Sequence, residues 1–193
     1  HASYRRQRQM CIRDRPRLYE IAKNSAQIGN EILKINYNKI QKISSKGRKG
    51  DLVTNVDLEV ENKIKEYLLQ ETPNISIHAE ETGKLNKSSE LTWCIDPLDG
   101  TTNYSHGYPF FGSSIGLVYK NKPIIGAVSV PYLGELYSAC IGLGSFCNDI
   151  KLKVTSPRNL SESLLVTGFA YDRFEVEDNN CLLYTSPSPR DSC

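Results

Sequence analysis

The chain has 193 residues, 39% of them hydrophobic and 24% charged, which is ordinary for a soluble globular domain. The 24 Lys and Arg nearly balance the 22 Asp and Glu, for a formal net charge of +2. No apolar run approaches the roughly 18 residues that a membrane-spanning helix needs, and no signal-peptide pattern opens the chain. We therefore expect a globular fold that does not associate with membranes.

The two ends of the chain differ from its middle. Residues 1–17 carry six arginines against one aspartate, so the rest of the chain is net acidic. Residues 181–193 contain a Ser-Pro-Ser-Pro run that does not favour regular structure. Both ends resemble translated sequencing-adaptor read-through, and we expect them to be non-native tails around a domain over residues 18–180. A basic charge confined to such a tail does not predict nucleic-acid binding.

The cysteines indicate a reducing compartment. Three of the six lie in the predicted tails, and Cys94, Cys140 and Cys147 show neither CxxC spacing nor a pairing pattern. Reduced thiols are typical of cytoplasmic proteins, so we expect a cytoplasmic location and no zinc site.

Two helices and a series of strands are predicted in chain order. Apolar residues at helical spacing predict helices over residues 18–37 and 56–69, and Pro73 ends the second. The segments that follow are rich in β-forming residues and are separated by short turns. The predicted strands span residues 75–79, 92–95, 111–119, 123–130, 135–141 and 164–169. Helices followed by mostly antiparallel strands predict an α+β layered fold.

Residues 93–103, Trp-Cys-Ile-Asp-Pro-Leu-Asp-Gly-Thr-Thr-Asn, are the most informative segment. Asp96 and Asp99 follow an apolar strand, and Pro97 fixes the backbone between them. Gly100 permits a sharp turn, after which a helix can begin. Two hard anionic ligands followed by free backbone N–H groups suit a divalent cation that holds a phosphate. Taken alone, the motif also fits a capped turn with two solvated aspartates.

Four segments, in this order, resemble the inositol monophosphatase family of metal-dependent phosphatases. Residues 50–57 (GDLVTNVD) are similar to its DLVTxxD segment, and residues 79–82 (AEET) to its GEE(S/T) segment. The run from Asp96 to Asn103 resembles the family's first signature, and residues 126–137 resemble the hairpin that follows it. A second signature, a WDxAAG-like run whose aspartate completes the metal site, does not occur. We therefore expect a chain that is truncated before that motif.

The resemblance implies a fold and a metal site. The expected fold is a layered α/β sandwich of the sugar-phosphatase type, with helices packed on a large antiparallel sheet and the second half mostly missing. The intact enzyme would use two or three Mg²⁺ ions. Glu80 and Asp96, with the backbone carbonyl of Leu98, would bind the first ion, and Asp96 and Asp99 would share the second.

The catalytic and substrate-binding residues are also implied by the resemblance. Thr101 and Asp57 would orient the attacking water, and Glu80 completes the catalytic set. Backbone N–H groups of Gly100 and Thr101, with the side chain of Lys46, would bind the phosphate. Two simpler readings remain open: Asp57 also suits the first turn of a helix, and Lys46 also suits a solvated loop.

The expected function is magnesium-dependent hydrolysis of a small phosphorylated polyol, inositol 1-phosphate by resemblance. Histidinol phosphate and fructose 1,6-bisphosphate are alternative substrates. A non-enzymatic alternative is a binding or assembly module whose metal site has decayed, although the chain retains every residue type of the site except the missing aspartate. We expect weak or no activity from the truncated chain, and a homodimer is compatible with the resemblance.

Overall fold

The computed structural model describes residues 14–39, 43–45, 52–156 and 159–164. The chain divides into two compact units, of which the first runs to Ser44 and resumes over Leu52–Lys153. This first unit carries the long helices and the large sheet. In the second unit, the described residues beyond Val154 contain one short 3-10 helix, Leu160–Glu162. Within these described ranges, no helix has the length and apolar character needed to cross a membrane.

Helix α1 spans Arg15–Asn36 and has a proline in its first turn, where the missing backbone N–H has no helical partner to lose. It begins before the predicted start, so residues 15–17, which were predicted as tail, belong to the helix. Residues 1–13 and 181–193 lie outside the described residues, and their assignment as non-native tails stays a prediction.

Helix α2 spans Asn55–Glu71 and slightly exceeds the predicted 56–69. A capping box fixes its start: the Thr54 hydroxyl accepts from the Val56 N–H at 3.2 Å, and the Asp57 carboxylate accepts from the Thr54 N–H at 2.8 Å. The apolar side chains at every fourth position face the core. These are Val56, Val60, Ile64 and Leu68, each 0% exposed.

The strands among the described residues form two sheets. A two-stranded sheet joins β1 (Ile43–Ser45) and β2 (Leu52–Thr54). The large sheet contains β3 (Ser76–Ala79), β4 (Gly83–Leu85), β5 (Leu91–Asp99), β6 (Gly112–Tyr119), β7 (Lys122–Val130), β8 (Glu135–Cys140), β9 (Gly144–Cys147) and β10 (Ile150–Lys151). Its strand order is β10-β9-β8-β7-β6-β5-β3-β4. All neighbouring strands are antiparallel except β3 and β5, which are parallel. This architecture confirms the predicted α+β fold.

The main differences from prediction concern strand ends and short strands. Strand β5 continues to Asp99, whereas the sequence pattern ended it at Ile95. Strands β1, β2, β4, β9 and β10 were not predicted, because two to four residues are too few to show an alternating pattern. Leu164 lies outside any strand, and the rest of the predicted strand over 164–169 lies outside the described residues.

The helices pack against the large sheet. Helix α1 contacts β6, β7 and β8, and helix α2 contacts α1 and β5. Gly29 allows α1 to lie close to β6, because a β-carbon at that position would lie 2.5 Å from the Ser113 Oγ. This close contact holds α1 against β6, which neighbours β5 in the sheet.

A buried hydrogen bond joins the end of α2 to β5. The indole N–H of Trp93, which is 0% exposed, donates to the Thr72 Oγ at 3.0 Å. The Thr72 hydroxyl in turn donates to the Leu68 carbonyl at 2.7 Å. The bond therefore fixes the C-terminal end of α2 on the sheet.

We expect Thr72→Val to lower the free energy of unfolding by about 1–3 kcal/mol, because it leaves a buried indole N–H without an acceptor. Urea unfolding followed by the fluorescence of Trp93, the chain's single tryptophan, measures this loss. Thr155→Val makes the same chemical change at an exposed position and serves as the control. Equal stabilities of the two variants would contradict the prediction.

Candidate active site

The predicted site lies where the parallel strands β3 and β5 end. Their register pairs His78 with Cys94 and Ala79 with Ile95. The Glu80 N–H continues this pairing by donating to the Ile95 carbonyl at 3.1 Å. Because the carboxyl ends of parallel strands meet at one edge of the sheet, Glu80 comes to lie beside Asp96.

The Asp96 carboxyl group is the most perturbed acid in this region. Burial, the negative charge and hydrogen bond of Glu80, and the charge of Asp99 together raise the pKa of Asp96 to about 8. Its Oδ1 is buried and, among the described residues, has no hydrogen-bond partner. A buried carboxyl oxygen without a donor is unfavourable, because most buried polar atoms in folded proteins have a hydrogen-bond partner.

These features fit a divalent cation. Two carboxyl groups that repel each other, one with a free buried oxygen, form a hard oxygen donor set of the type that Mg²⁺ prefers. A bound cation would supply the missing partner of Asp96 Oδ1 and would favour the charged form of Asp96. Glu80 and Asp96 are therefore the residues that would hold it.

The other two predicted metal ligands are Asp99 and the backbone carbonyl of Leu98. Asp99 is exposed at the end of β5, although its charge still acts on Asp96. The Leu98 carbonyl accepts a hydrogen bond from the Thr101 hydroxyl at 2.9 Å. The pairing of β5 with β6 is irregular between Asp96 and Asp99. Within the described part of the chain, no three His, Cys, Asp or Glu residues stand together as a preformed metal cluster.

Asp57 links the start of α2 to the turn after β5. It is 1% exposed, and its Oδ2 accepts from the Thr54 hydroxyl at 2.5 Å. Its Oδ1 accepts from the Thr101 hydroxyl at 3.3 Å. Burial raises the pKa of Asp57, and the hydrogen bonds from Thr54 and Thr101 oppose that rise. The carboxylate thus caps the helix and also contacts the predicted catalytic threonine.

Gly100 and Thr101 form the turn into helix α3 (Thr101–Ser105). Gly100 has a φ of 86°, and a β-carbon there would lie 3.1 Å from the Phe110 carbonyl oxygen, so a larger residue would be strained. Their predicted role in phosphate binding stays a prediction. Lys46, the third predicted phosphate ligand, lies outside the described residues.

A buried glutamate that the sequence analysis missed lies behind this edge of the sheet. Glu61, on α2, is 0% exposed and accepts from the N–H groups of Glu81 at 2.7 Å and Thr82 at 3.0 Å. The sequence does hold a signal for it. Glu61 lies four residues after Asp57, in the same row of the helix, and directly after the apolar residue Val60. A charged residue there contradicts a purely apolar buried face.

A cavity of about 320 Å³ opens beside the acidic pair. Its lining includes Glu80, Asp96 and Ser114. A larger cavity of about 670 Å³ lies near Arg17 and Glu71, and it contains none of the predicted site residues. We place the chemistry at the smaller cavity, because Asp96, the carboxyl group with a strongly raised pKa, lines it together with Glu80.

The fold, helices on a large mostly antiparallel sheet with acidic residues at the strand ends, is that of the layered sugar-phosphatase class. A sequence model of the inositol monophosphatase family matches residues 14–183, and the chain belongs to this family. Members of the family are metal-dependent phosphoric monoester hydrolases.

Named relatives share much of this sequence. The chain is 44% identical over 153 residues to an inositol-1-monophosphatase of Synechocystis sp., covering 79% of the chain and 53% of the relative. It is 43% identical over 152 residues to a fructose-1,6-bisphosphatase/inositol-1-monophosphatase of Aquifex aeolicus, covering 78% and 57%. The chain thus spans about half the length of the curated relatives it matches.

A solved structure shows the same fold. The inositol monophosphatase from Anabaena (Nostoc) sp. superposes with a TM-score of 0.76 at 38% sequence identity, covering 88% of this chain and 62% of that one. The likeness therefore extends over most of the described elements.

We expect the metal-free fold to lose stability as pH rises from about 4 to about 8. Between the ordinary pKa of Asp96, 3.8, and its folded value of about 8, the folded chain holds a proton that the unfolded chain has released. Asp96→Asn should therefore reduce this loss, and it should also remove the stabilisation that Mg²⁺ gives at pH 8.

Thermal unfolding in EDTA and in Mg²⁺, at pH 5 and pH 8, measures both effects. Glu31→Gln, which neutralises an exposed acid on α1, is the control. If Asp96→Asn showed the same pH dependence and the same response to Mg²⁺ as the unchanged chain, the acidic pair would not be the cation site.

Proposed function

We propose that this chain supplies the acidic metal site of a magnesium-dependent phosphoric monoester hydrolase. The observation that carries the proposal is the Asp96 carboxyl group, held beside Glu80 with a buried, unpartnered oxygen. Membership of a metal-dependent phosphatase family supports the same conclusion. Glu80, Asp96 and the Leu98 carbonyl would hold one ion, and Asp99 with Asp96 would hold another.

The ions, when bound, would lower the pKa of a water molecule and stabilise the charge that develops on the phosphate and the leaving oxygen. The chain's own residues would position that water. The Thr101 hydroxyl donates its hydrogen towards Asp57 or the Leu98 carbonyl, which leaves its lone pairs to accept a hydrogen from water. Glu80, which is exposed at the same edge of the sheet, would complete the catalytic set with Thr101 and Asp57.

The hydrolysis that follows needs no covalent intermediate with the protein. The oxygen of the positioned water forms the new bond to phosphorus while the bond to the alcohol oxygen breaks. One hydrogen of the water reaches the leaving alcohol, and the other remains with the released phosphate. Gly100, Thr101 and Lys46 would bind the phosphate during this step.

The substrate we propose is inositol 1-phosphate. The names of the Synechocystis and Aquifex relatives support it, and the latter name also supports fructose 1,6-bisphosphate. Histidinol phosphate remains the third candidate. A homodimer and a cytoplasmic location also remain proposals, as does the non-enzymatic alternative of a binding or assembly module.

The first test is turnover of these three phosphate esters with Mg²⁺, with Mn²⁺ and with excess EDTA. It uses purified protein in which this chain is continued to the length of its relatives, because we expect weak or no activity from the 193-residue chain alone. We expect release of phosphate only when a divalent ion is present, and the highest kcat/KM with inositol 1-phosphate. Turnover that continues undiminished in excess chelator would contradict the metal-dependent mechanism. A protein that binds Mg²⁺ but hydrolyses none of the three esters would favour the binding-module alternative.

The second test addresses the Thr101–Asp57 pair. We expect Thr101→Ala to lower kcat by about 100-fold, near the lower end of the effect of losing a group that assists proton transfer. Thr101→Ser retains the hydroxyl and should keep most of the activity. Because the two residues act as a unit, Asp57→Asn combined with Thr101→Ala should cost little more than Thr101→Ala alone.

Full additivity of the two substitutions in steady-state kinetics would show that the hydrogen bond between Thr101 and Asp57 has no part in catalysis. Circular dichroism of each variant controls for the second role of Asp57, which caps α2.

A further inference from the structure

We infer that Glu61 is a positioning residue for the metal site: it fixes the turn that carries Glu80, and it acts together with Lys65 from the same helix. This inference rests on the proposed function, since it concerns how Glu80 is held in place to bind a cation. It assigns a role to a buried carboxylate that the mechanism above does not use.

The backbone N–H groups of the turn between β3 and β4 donate to a side chain from another element, helix α2. The two strands pair antiparallel up to Ala79 and Gly83, so Glu80, Glu81 and Thr82 form a tight connection. Gly83 has a φ of +77°, in the left-handed region that glycine tolerates. The N–H groups of Glu81 and Thr82 at this turn donate to Glu61 on α2, Glu81 to Oε2 and Thr82 to Oε1.

A carboxylate suits this position better than other side chains. Both of its oxygens accept and neither donates, so it can bind two neighbouring N–H groups at once. Glutamine has the same volume, but its amide nitrogen would face one of those N–H groups and could not accept from it. The two hydrogen bonds of 2.7 and 3.0 Å therefore depend on the charge and shape of Glu61.

Glu80 is held on both sides by these contacts. On one side its own N–H donates to the Ile95 carbonyl of β5 at 3.1 Å. On the other side the next residue, Glu81, is bound to Glu61. The backbone at Glu80 is thus fixed relative to β5, which carries Asp96, and this sets the direction in which the Glu80 side chain leaves the backbone.

Lys65 makes a second contact from α2 to the same turn. Its ammonium group donates to the Thr82 hydroxyl at 2.6 Å. Asp57, Glu61 and Lys65 lie at successive intervals of four residues, which places them in one row along the helix. Helix α2 therefore holds the turn that carries Glu80 and, through Asp57, also holds Thr101 in the turn after β5.

The test measures Mn²⁺ binding to the 193-residue chain by the electron paramagnetic resonance signal of free Mn²⁺. Glu61→Gln removes one of the two acceptors that hold the turn. Lys65→Met removes the ammonium group that donates to the Thr82 hydroxyl and leaves the core unchanged. Thr72→Val weakens the fold at the far end of α2 and is the matched control for lost stability. All measurements are made where circular dichroism shows each variant to be folded.

We expect Glu61→Gln to weaken Mn²⁺ binding by about tenfold or more, as substitution of groups that orient metal ligands does. Lys65→Met should weaken it by about two- to fivefold, since its contact is exposed. Thr72→Val should leave the dissociation constant unchanged. If the two residues acted on the cation through their charge alone, the two variants would change the affinity in opposite directions. Loss of the Glu61 carboxylate would weaken cation binding, and loss of the Lys65 ammonium would tighten it.

Two outcomes would overturn the inference: unchanged Mn²⁺ affinity in Glu61→Gln, or tighter binding in Lys65→Met. Should Glu61→Gln fail to fold, Lys65→Met alone decides by the sign of its effect. Hydrogen exchange gives a readout that needs no metal, since the amides of Glu81 and Thr82 should exchange faster in Glu61→Gln and not in Thr72→Val.

A chain that binds no Mn²⁺ at all would instead overturn the metal site of the proposed function. Amide exchange then decides the role of Glu61 on its own. Faster exchange at Glu81 and Thr82 in Glu61→Gln supports the inference that Glu61 fixes the turn, and unchanged exchange contradicts it.

Discussion

The parallel pairing of β3 with β5 is the constraint on which the site depends. Among the described strands of the large sheet it is the single parallel pair, and it brings two strands to the same edge. Glu80 follows β3, and Asp96 follows Ile95, the last residue of β5 that pairs with β3, so their carboxyl groups are held together despite their mutual repulsion. A fold that keeps two acids close, one of them partly buried, is poised to bind a cation that removes the repulsion.

Helix α2 stabilises this arrangement from behind. Its apolar row packs on the core, and a second row of charged residues reaches the loops at the edge of the sheet. Asp57 caps the helix and accepts a hydrogen bond from Thr101, while Glu61 accepts two from the turn after Glu80. Buried carboxylates are costly unless hydrogen-bonded, and here each is satisfied by backbone or hydroxyl donors. The same bonds that make their burial tolerable also fix the loops.

The sequence predicted most of the fold because its long elements have clear periodicity. Both long helices and the meander of β6, β7 and β8 lie within a few residues of their predicted limits. Short strands such as β4 and β9 were missed, since their existence depends on hydrogen bonds to a partner rather than on their own residues. The start of α1 was placed too late because the arginine-rich segment before Leu18 carries no apolar pattern.

The sequence by itself determined the family, the fold class and the candidate acids, because four motifs in fixed order carry distinctive residue types. The resemblance implied that Glu80 and Asp96 bind one ion together, but the sequence could not show how far each acid is buried or what it bonds to. The tertiary structure decided that Glu80 lies against Asp96, that Asp99 remains exposed, and that Glu61 is buried behind the turn. The physical reason is that charge repulsion, burial and hydrogen bonding act between residues that are distant along the chain, and only the pairing of strands and the packing of α2 bring them together.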